Sequence, residues 1–171
     1  VTIGAGLESM TYVPMGGNMP RPYPDYTEAH PELYCSMGIT AENVAKRYNI
    51  TREEQDEFAY NSHMKAAAAR DGGKFIEIVP TPAIKYVEQA DGTFKKETFI
   101  QSVDDGIRAD TTIEGLAKLR PVFAAAGSVT AGNSSQTTDG SAAVVIMSGD
   151  KVKELGVKPL GKLVCYATVG C

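Results

Sequence analysis

Apolar residues gather into short continuous runs near both ends of the chain. Residues 1–6 and 142–147 carry few polar side chains, and a third such run spans residues 160–169. A run of this length and composition is typical of a strand that is covered on both faces of a sheet. We therefore predict buried strands of an α/β core at the two ends of the chain.

A different periodicity, with apolar positions three and four residues apart, predicts two helices next. The first spans residues 40–48 with Thr40 as its N-cap, because a hydroxyl there accepts a free backbone N–H. Thr51 and Glu54 have the spacing of a capping box, so the second helix begins at Thr51 and continues to Arg70. The predicted apolar face of this second helix comprises Phe58, Ala59, Ser62, Ala66 and Ala69.

Residues 11–34 contain five prolines with tyrosines between them. Prolines at this density disfavour both a helix and a central strand, so we predict an extended, packed loop, with a mobile surface loop as the alternative. A strand is predicted over residues 75–79. Further strands at 84–87 and 93–100 flank the turn residues at 90–92 and form a hairpin.

A second capping box, Thr111 to Glu114, opens a short helix whose apolar run 116–119 stops at Pro121. Another short helix is predicted at residues 150–155, where Gly156 ends it. The middle of the chain, roughly residues 9–129, is therefore expected to be a helix-and-hairpin insertion between core strands.

Composition excludes several classes of protein. The 171 residues suit one domain or one and a half, and the net charge of −4 argues against nucleic acid as a partner. No apolar run reaches the roughly 20 residues of a membrane-spanning helix, so no membrane partner is expected. Three cysteines without regular spacing favour a reducing compartment over a disulfide framework. We expect the cytoplasm, or mitochondria or peroxisomes in a eukaryote.

The cysteines and histidines offer no convincing catalytic group. Cys35 precedes the first helix and lies near His30 in sequence, as a reactive thiolate requires, but most lone cysteines are inert and we predict a structural role. Cys165 is predicted in the core and Cys171 at the surface. His63 is expected to be half-buried or solvated. With two histidines and no CxxC pair, no metal site is expected.

The loop at residues 130–140 is rich in glycine and hydroxyl groups. Small residues such as Ala131, Gly132, Ser134 and Ser135 let a backbone approach a ligand closely. Their neutral hydrogen-bonding groups suit a flexible, polar, uncharged chain better than a bare phosphate. The alternative is a solvated loop between a helix and a strand.

Arg108 is the charged residue that we expect to contact a ligand. A guanidinium group binds phosphate and also stacks on flat aromatic faces such as adenine. The alternative is a surface ion pair with Asp104 or Asp105, which lie just before it in the sequence.

Five blocks of sequence, taken in order, resemble the thiolases, which are acetyl-CoA acyltransferases. A sixth element, the ESM at residues 8–10, resembles the end of a core strand in that family. The similarity runs nearly from end to end of the chain. The blocks are MGITAENVA (37–45), ITREEQDEFA (50–59), GIRADTT (106–112), LAKLRPVF (116–123) and TAGNSSQTTDG (130–140).

This resemblance assigns roles to individual positions. It implies that Met37 lies at the acyl or pantetheine pocket and that Arg108 lies near the nucleotide end of coenzyme A. Phe123, Ala131 and Ser135 would line the pantetheine arm, with Ser135 hydrogen-bonding one of its amides. Coenzyme A or acyl-CoA would be a substrate, and no covalently bound cofactor is expected.

One position departs from many biosynthetic thiolases, which have a histidine just before the Met–Gly pair. Here that position is Ser36. The departure favours the degradative 3-ketoacyl type. It also removes any coenzyme A contact that such a histidine would make.

The catalytic motifs of thiolases are not among these blocks. The nucleophilic cysteine of the family lies upstream of the ESM element, and its histidine, asparagine and second cysteine belong to other motifs. The chain is thus expected to be an internal part of a thiolase-like α/β fold, inactive by itself. The implied parts are 1–8 (core strand), 9–129 (inserted loop domain), 130–156 (return to the N-terminal core) and 157–171 (start of the C-terminal half).

Partners follow from the same resemblance. A coenzyme A thioester, the remainder of a thiolase chain, and further copies in a homodimer or homotetramer are expected. Two other interpretations remain: a non-catalytic binding or oligomerisation module that uses the proline- and tyrosine-rich segment, and a chain that self-associates through its open core strands.

Overall fold

The computed structural model describes residues 1–169, which separate into two compact units. One unit is Val1–Pro22 together with the chain from Gln136 onward, and the other is Tyr23–Ser135. A short 3₁₀ helix occupies Pro31–Tyr34. The remaining elements are β1 (Thr2–Glu8), α1 (Pro24–Ala29), α2 (Met37–Tyr48), α3 (Arg52–Asp71), β2 (Thr81–Glu88), β3 (Phe94–Gln101), α4 (Ile113–Ala117), β4 (Gly140–Ile146) and α5 (Gly149–Leu155).

The first unit is built on one antiparallel pair, β1 with β4, in which Thr2 lies opposite Ile146 and Glu8 opposite Gly140. The strands predicted at residues 1–6 and 142–147 are therefore confirmed, but their predicted burial is wrong. Every residue of both strands is exposed. No described residue covers either face of the ribbon, so its apolar side chains remain accessible.

Beyond β4, one prediction is confirmed and another is wrong. The N-cap of helix α5 is Ser148, whose hydroxyl accepts the Lys151 N–H at 3.3 Å, and Gly156 with φ +62° terminates the helix as expected. Residues 160–169 form no strand, because no described segment pairs with them. Cys165, predicted in the core, is exposed, and Cys171 lies outside the described residues.

In the second unit, α2 begins earlier than predicted. Ser36 is the N-cap, and its hydroxyl accepts the N–H of Ile39 at 3.4 Å. Thr40, the predicted cap, lies inside the helix and its hydroxyl donates to the Ser36 carbonyl at 3.2 Å. Both residues carry a hydroxyl, so the sequence pattern suited either position; the earlier cap extends the helix by three residues.

The start of α3 is confirmed, but its buried face is not the predicted one. Thr51 and Glu54 form the reciprocal capping box, with N–H to side-chain distances of 3.2 and 2.8 Å. The buried residues of the helix are Asp56 and Ala67, whereas Phe58 is 78% exposed. Apolar spacing alone could not predict this buried face, because one of its two members is the carboxylate of Asp56.

The proline-rich segment contains helix, contrary to prediction. Pro24 and Pro31 occupy the first positions of α1 and of the 3₁₀ helix, where a missing N–H costs nothing. None of the residues in either element is buried, so the predicted packing is also wrong.

The hairpin β2–β3 is confirmed, with Thr81 opposite Gln101 and Glu88 opposite Phe94. Its turn uses Gly92 at φ +80° and the carboxylate of Asp91, which accepts the Thr93 N–H at 2.9 Å. The strand predicted at residues 75–79 is absent, and that segment forms turns and irregular backbone.

The short helix α4 has its cap one residue later than predicted. The Thr112 hydroxyl accepts the Gly115 N–H at 3.0 Å, so Glu114 is not at the reciprocal position and no capping box forms. Its Leu116 is one of the four buried apolar residues of this unit, with Ala45, Ala67 and Val129, and α4 packs against α3. No helix within residues 1–169 is long and apolar enough to cross a membrane.

Candidate functional site

The loop at residues 128–133 is held from the α2 side by one carboxylate. Both oxygens of Glu42 accept the Ser128 N–H at 3.0 Å, and one of them accepts the Val129 N–H at 2.9 Å. Burial raises the pKa of Glu42, but hydrogen bonds from the Val129 and Ser128 N–H groups and the Ser128 hydroxyl lower the pKa below its ordinary value. The carboxylate is therefore held in its charged form at neutral pH.

Helix α3 holds the same loop through Asn133. The side-chain N–H₂ of Asn133 donates to Asp56 at 3.0 Å and to the Ser128 carbonyl at 3.1 Å. Gln55 adds a bond from its amide to the Ser128 hydroxyl at 2.9 Å. Two helices thus fix a loop that would otherwise depend on its own turns.

Inside the loop, Thr130 is completely buried and organises the turn. Its backbone N–H donates to the Asn133 side-chain oxygen at 2.7 Å, and its hydroxyl accepts the N–H groups of Gly132 and Asn133 at 3.2 and 3.4 Å. Three backbone donors of the turn, the N–H groups of Thr130, Gly132 and Asn133, are consequently satisfied from within.

Three glycines allow close packing around this loop. A Cβ atom on Gly38 would lie 2.2 Å from the Phe123 ring, and one on Gly127 would lie 2.2 Å from a Glu42 oxygen. On Gly132 a Cβ atom would lie 2.4 Å from Leu119 and 2.6 Å from Leu116. Absence of a side chain at these positions is what permits the contacts.

Four of the five predicted ligand residues lie on α2, on the segment after α4, and on or just beyond the loop at 128–133. Met37 opens α2 and is 67% exposed, and the neighbouring Gly38 packs against Phe123, which is 41% exposed. Ala131 and Ser135 are exposed on either side of Asn133. The structure therefore joins Met37 and Phe123 through Gly38, and Ala131 and Ser135 through one loop.

Arg108, the fifth predicted residue, lies apart from these contacts in a separate loop. Its side chain is exposed and forms no ion pair with Asp104, Asp105 or any other described residue, so the alternative of a surface ion pair is wrong. Its backbone is anchored instead. The N–H donates to His63 Nδ1 at 3.2 Å, and the carbonyl accepts the Thr111 hydroxyl at 2.8 Å.

Sequence reasoning missed the residues that position the loop. Asp56 was not among the predicted site residues, but its side chain is 4% exposed and pairs with Arg52 at 2.7 Å. The spacing of four residues between Arg52 and Asp56 is a signal that was available in the sequence. Glu42 and Asn133 gave no local signal, because their partners are 86 and 77 residues away.

Cys35 is exposed and unpaired in the structure. The nearby His30 contacts the Glu32 carboxylate at 3.0 Å, and this bond together with the Glu32 backbone N–H lowers the pKa of Glu32. Within residues 1–169 no three His, Cys, Asp or Glu side chains form a group suited to a metal ion.

A shallow groove of about 400 Å³ lies between α3 and α4. None of the five predicted ligand residues lines it, so it is distinct from the predicted site. The lining residues are Arg52, Glu53, Asp56, Glu57, Tyr60, Asn61, Ile113 and Ala117.

Comparison with known proteins gives consistent matches. The family model described as "Thiolase, N-terminal domain" matches residues 1–150. The chain is 47% identical over 169 residues to the 3-ketoacyl-CoA thiolase of Bacillus subtilis, covering 98% of this chain and 43% of that protein. It is 46% identical over 172 residues to the peroxisomal 3-ketoacyl-CoA thiolase 1 of Arabidopsis thaliana, covering 99% of this chain and 38% of that protein.

The solved structures agree with the sequence matches. The dimeric peroxisomal thiolase of Saccharomyces cerevisiae superposes with a TM-score of 0.68 at 34% identity, covering 94% of this chain and 39% of that one. The chain thus spans about two fifths of the length of the relatives it matches. Since the thiolase model matches most of the sequence, and both the relatives and the fold agree with it, the chain belongs to the thiolase family.

Proposed function

We propose that this chain is the coenzyme-A-binding middle portion of a thiolase. The observation that carries the proposal is the loop at 128–133, which two helices hold rigidly while the small residues Ala131 and Ser135 on and beside it stay exposed. A surface that is both fixed and free of bulky side chains suits the long, uncharged pantetheine arm.

Two further features support a coenzyme A ligand. Met37 and Phe123 present apolar, partly exposed side chains next to the tight Gly38 contact, as a wall for an alkyl chain. Arg108 presents a guanidinium group with no carboxylate partner among residues 1–169, which leaves its charge available for a phosphate or an adenine face. We assign Arg108 to the nucleotide end and Ser135 to an amide of the pantetheine arm.

The proposed reaction of the whole protein is acyl transfer between a cysteine thioester and coenzyme A or acetyl-CoA. Two relatives are named 3-ketoacyl-CoA thiolases, and Ser36 replaces the histidine of many biosynthetic members. Both points favour 3-ketoacyl-CoA cleavage over acetoacetyl-CoA formation. We assign no reacting group to this chain, and coenzyme A is a substrate here, not a bound cofactor.

The domain assignment is part of the same proposal. We place residues 1–8 and 130–156 in the N-terminal core, 9–129 in the inserted loop domain, and 157–171 at the start of the C-terminal half. The remainder of a thiolase chain then covers the exposed apolar side chains of β1 and β4. We propose the cytoplasm as the compartment, or mitochondria or peroxisomes in a eukaryotic source.

Calorimetric titration of coenzyme A into the intact protein tests this function. Arg108→Ala and Ser135→Ala are each expected to weaken binding by about tenfold, the effect of losing one hydrogen bond or charge contact. Lys65→Ala is the matched control for Arg108, because Lys65 is an exposed cation on α3. Equal affinities for the wild type and all three variants would refute the assignment of Arg108 and Ser135.

The second candidate is an oligomerisation module. The observation that favours it is the cluster of exposed apolar and aromatic side chains around α1 and the 3₁₀ helix, of which Tyr23 is 57%, Tyr26 55% and Leu33 64% exposed. A second copy of the protein in a homodimer or homotetramer is the proposed partner. Sedimentation of Leu33→Lys separates the two candidates: a change in assembly with unchanged coenzyme A affinity supports the module.

A further inference from the structure

We propose that Arg52, Asp56 and Asn133 form a positioning relay that sets the conformation of the ligand-binding loop. This inference rests on the proposed function and names residues for it that are not among the predicted ligand residues. Arg52 and Asp56 lie one turn apart on α3, and Asn133 lies in the loop. The Asp56 carboxylate bonds to the other two side chains.

The first step of the relay fixes Asp56. Arg52 Nε donates to one Asp56 oxygen at 2.7 Å, and the carboxylate is only 4% exposed. A buried carboxylate without a cation is strongly unfavourable, so Arg52 is what allows a charge at this depth. Arg52 is fixed in turn, because its Nη2 donates to the carbonyls of Leu116 and Leu119 at 2.7 and 3.1 Å.

The second step transmits this arrangement to the loop. The other Asp56 oxygen accepts from Asn133 Nδ2 at 3.0 Å, which decides which way the Asn133 amide faces. With the nitrogen held by Asp56, the amide oxygen points back to the Thr130 N–H at 2.7 Å. Reversing the amide would place two donors against each other at Thr130 and an oxygen against the Asp56 charge.

The third step concerns what the loop presents. Ala131 lies inside the turn that Thr130 and Asn133 close, and Ser135 follows two residues after Asn133. Gly132 packs against Leu116 and Leu119, the same two residues whose carbonyls bind Arg52. The relay and this contact therefore fix the loop against α4 at two points, and Asp56 is a positioning residue.

Asp56→Asn tests the relay, because it keeps the shape and an acceptor for Asn133 but removes the charge that Arg52 neutralises. Glu57→Gln is the control: it removes the same charge from the next position of α3, where the side chain is exposed. Two measurements on the whole protein, of which this chain is a part, are needed: amide hydrogen exchange of residues 128–135 without ligand, and steady-state kinetics of 3-ketoacyl-CoA cleavage at varied coenzyme A concentration.

In Asp56→Asn we expect exchange of the 128–135 amides to accelerate about tenfold, with KM for coenzyme A raised about tenfold and kcat changed less than twofold. Glu57→Gln should leave all three unchanged. Loop exchange equal to that of the control overturns the relay, and so does a uniform acceleration throughout the chain, which would indicate a general loss of stability.

Failure of the proposed function gives a different result. If the wild type does not bind coenzyme A but Asp56→Asn alone accelerates loop exchange, the relay stands and the ligand assignment is wrong. Arg52→Lys is the second variant in case Asp56→Asn does not fold. It keeps a cation beside Asp56 but cannot reach both carbonyls, so a smaller acceleration confined to the same amides is expected.

Discussion

Glu42 on α2 binds the backbone N–H of Ser128 with both carboxylate oxygens at 3.0 Å, although 86 residues separate the two in the chain. The same carboxylate accepts the Val129 N–H at 2.9 Å and the Ser128 hydroxyl at 3.3 Å. One side chain therefore satisfies two backbone donors, Ser128 N–H and Val129 N–H, in the irregular segment after α4. We expect both the stability of this unit and its pH dependence to reflect that contact.

Glu42→Gln should lower the free energy of unfolding by about 1–2 kcal/mol at neutral pH. The amide keeps one oxygen as an acceptor but puts an N–H₂ donor against backbone donors. Urea denaturation followed by circular dichroism measures the change. Glu77→Gln is the control, since Glu77 is exposed and lies in an irregular segment; a loss of equal size in the control would show that the effect is only one of net charge.

The stability that Glu42 provides should disappear in acid. Its folded-state pKa lies below 4.5, the ordinary value for glutamate, because the N–H bonds from Val129 and Ser128 outweigh the effect of burial. A lowered pKa gives stability that is complete above the unfolded-state pKa and is lost as pH falls through the folded-state pKa. The difference in unfolding free energy between the wild type and Glu42→Gln should be at its largest at about pH 6, and it should become smaller below the ordinary glutamate pKa. A gap that stays constant down to acid unfolding would contradict this.

Gly38→Ala should destabilise the protein by about 1–3 kcal/mol, the usual cost of forcing an extra methyl group into a packed contact. The new Cβ atom would lie 2.2 Å from the Phe123 ring, which must move. Thermal unfolding measures the loss, and coenzyme A affinity should fall as well. Gly149→Ala is the matched control, because a Cβ atom there meets nothing within 4 Å. Equal melting temperatures for the two variants would show that the Phe123 ring yields without cost.

Ser36→Ala should cost about 1 kcal/mol in unfolding free energy, and Thr40→Ala distinctly less. Ser36 supplies the capping oxygen for the Ile39 N–H, whereas the Thr40 hydroxyl only donates to a carbonyl one turn earlier. Chemical denaturation of the two single variants makes the comparison. The reverse order would place the cap at Thr40, four residues later.

Local chemistry explains which parts of the fold were predictable. The Thr51 capping box, the turn at Gly92 and the end of α5 at Gly156 depend on residues within a few positions of one another, and all three are confirmed. The predicted position of the α2 cap was wrong because Ser36 and Thr40 both carry a hydroxyl that can cap a helix. The strand predicted at residues 160–169 was wrong because a strand needs a partner, and no described segment pairs with these residues.

Composition alone singled out the loop at residues 130–140, which is rich in glycine and hydroxyl groups. Similarity to thiolases assigned ligand roles to Ala131 and Ser135 on it, and those roles stay predictions. Neither periodicity nor composition pointed to Glu42 or Asn133. Their partners are far away in sequence, and a single chain gives no measure of such distant pairing.

The register of β1 against β4 has a consequence for biosynthesis. The whole of Tyr23–Ser135 lies between these strands in sequence, so their pairing closes a very long loop and is expected to form slowly. During translation β1 leaves the ribosome long before β4 has been made. Throughout that interval the backbone N–H and C=O groups of β1 have no strand beside them, and they stay without a partner strand until Gly140–Ile146 arrives.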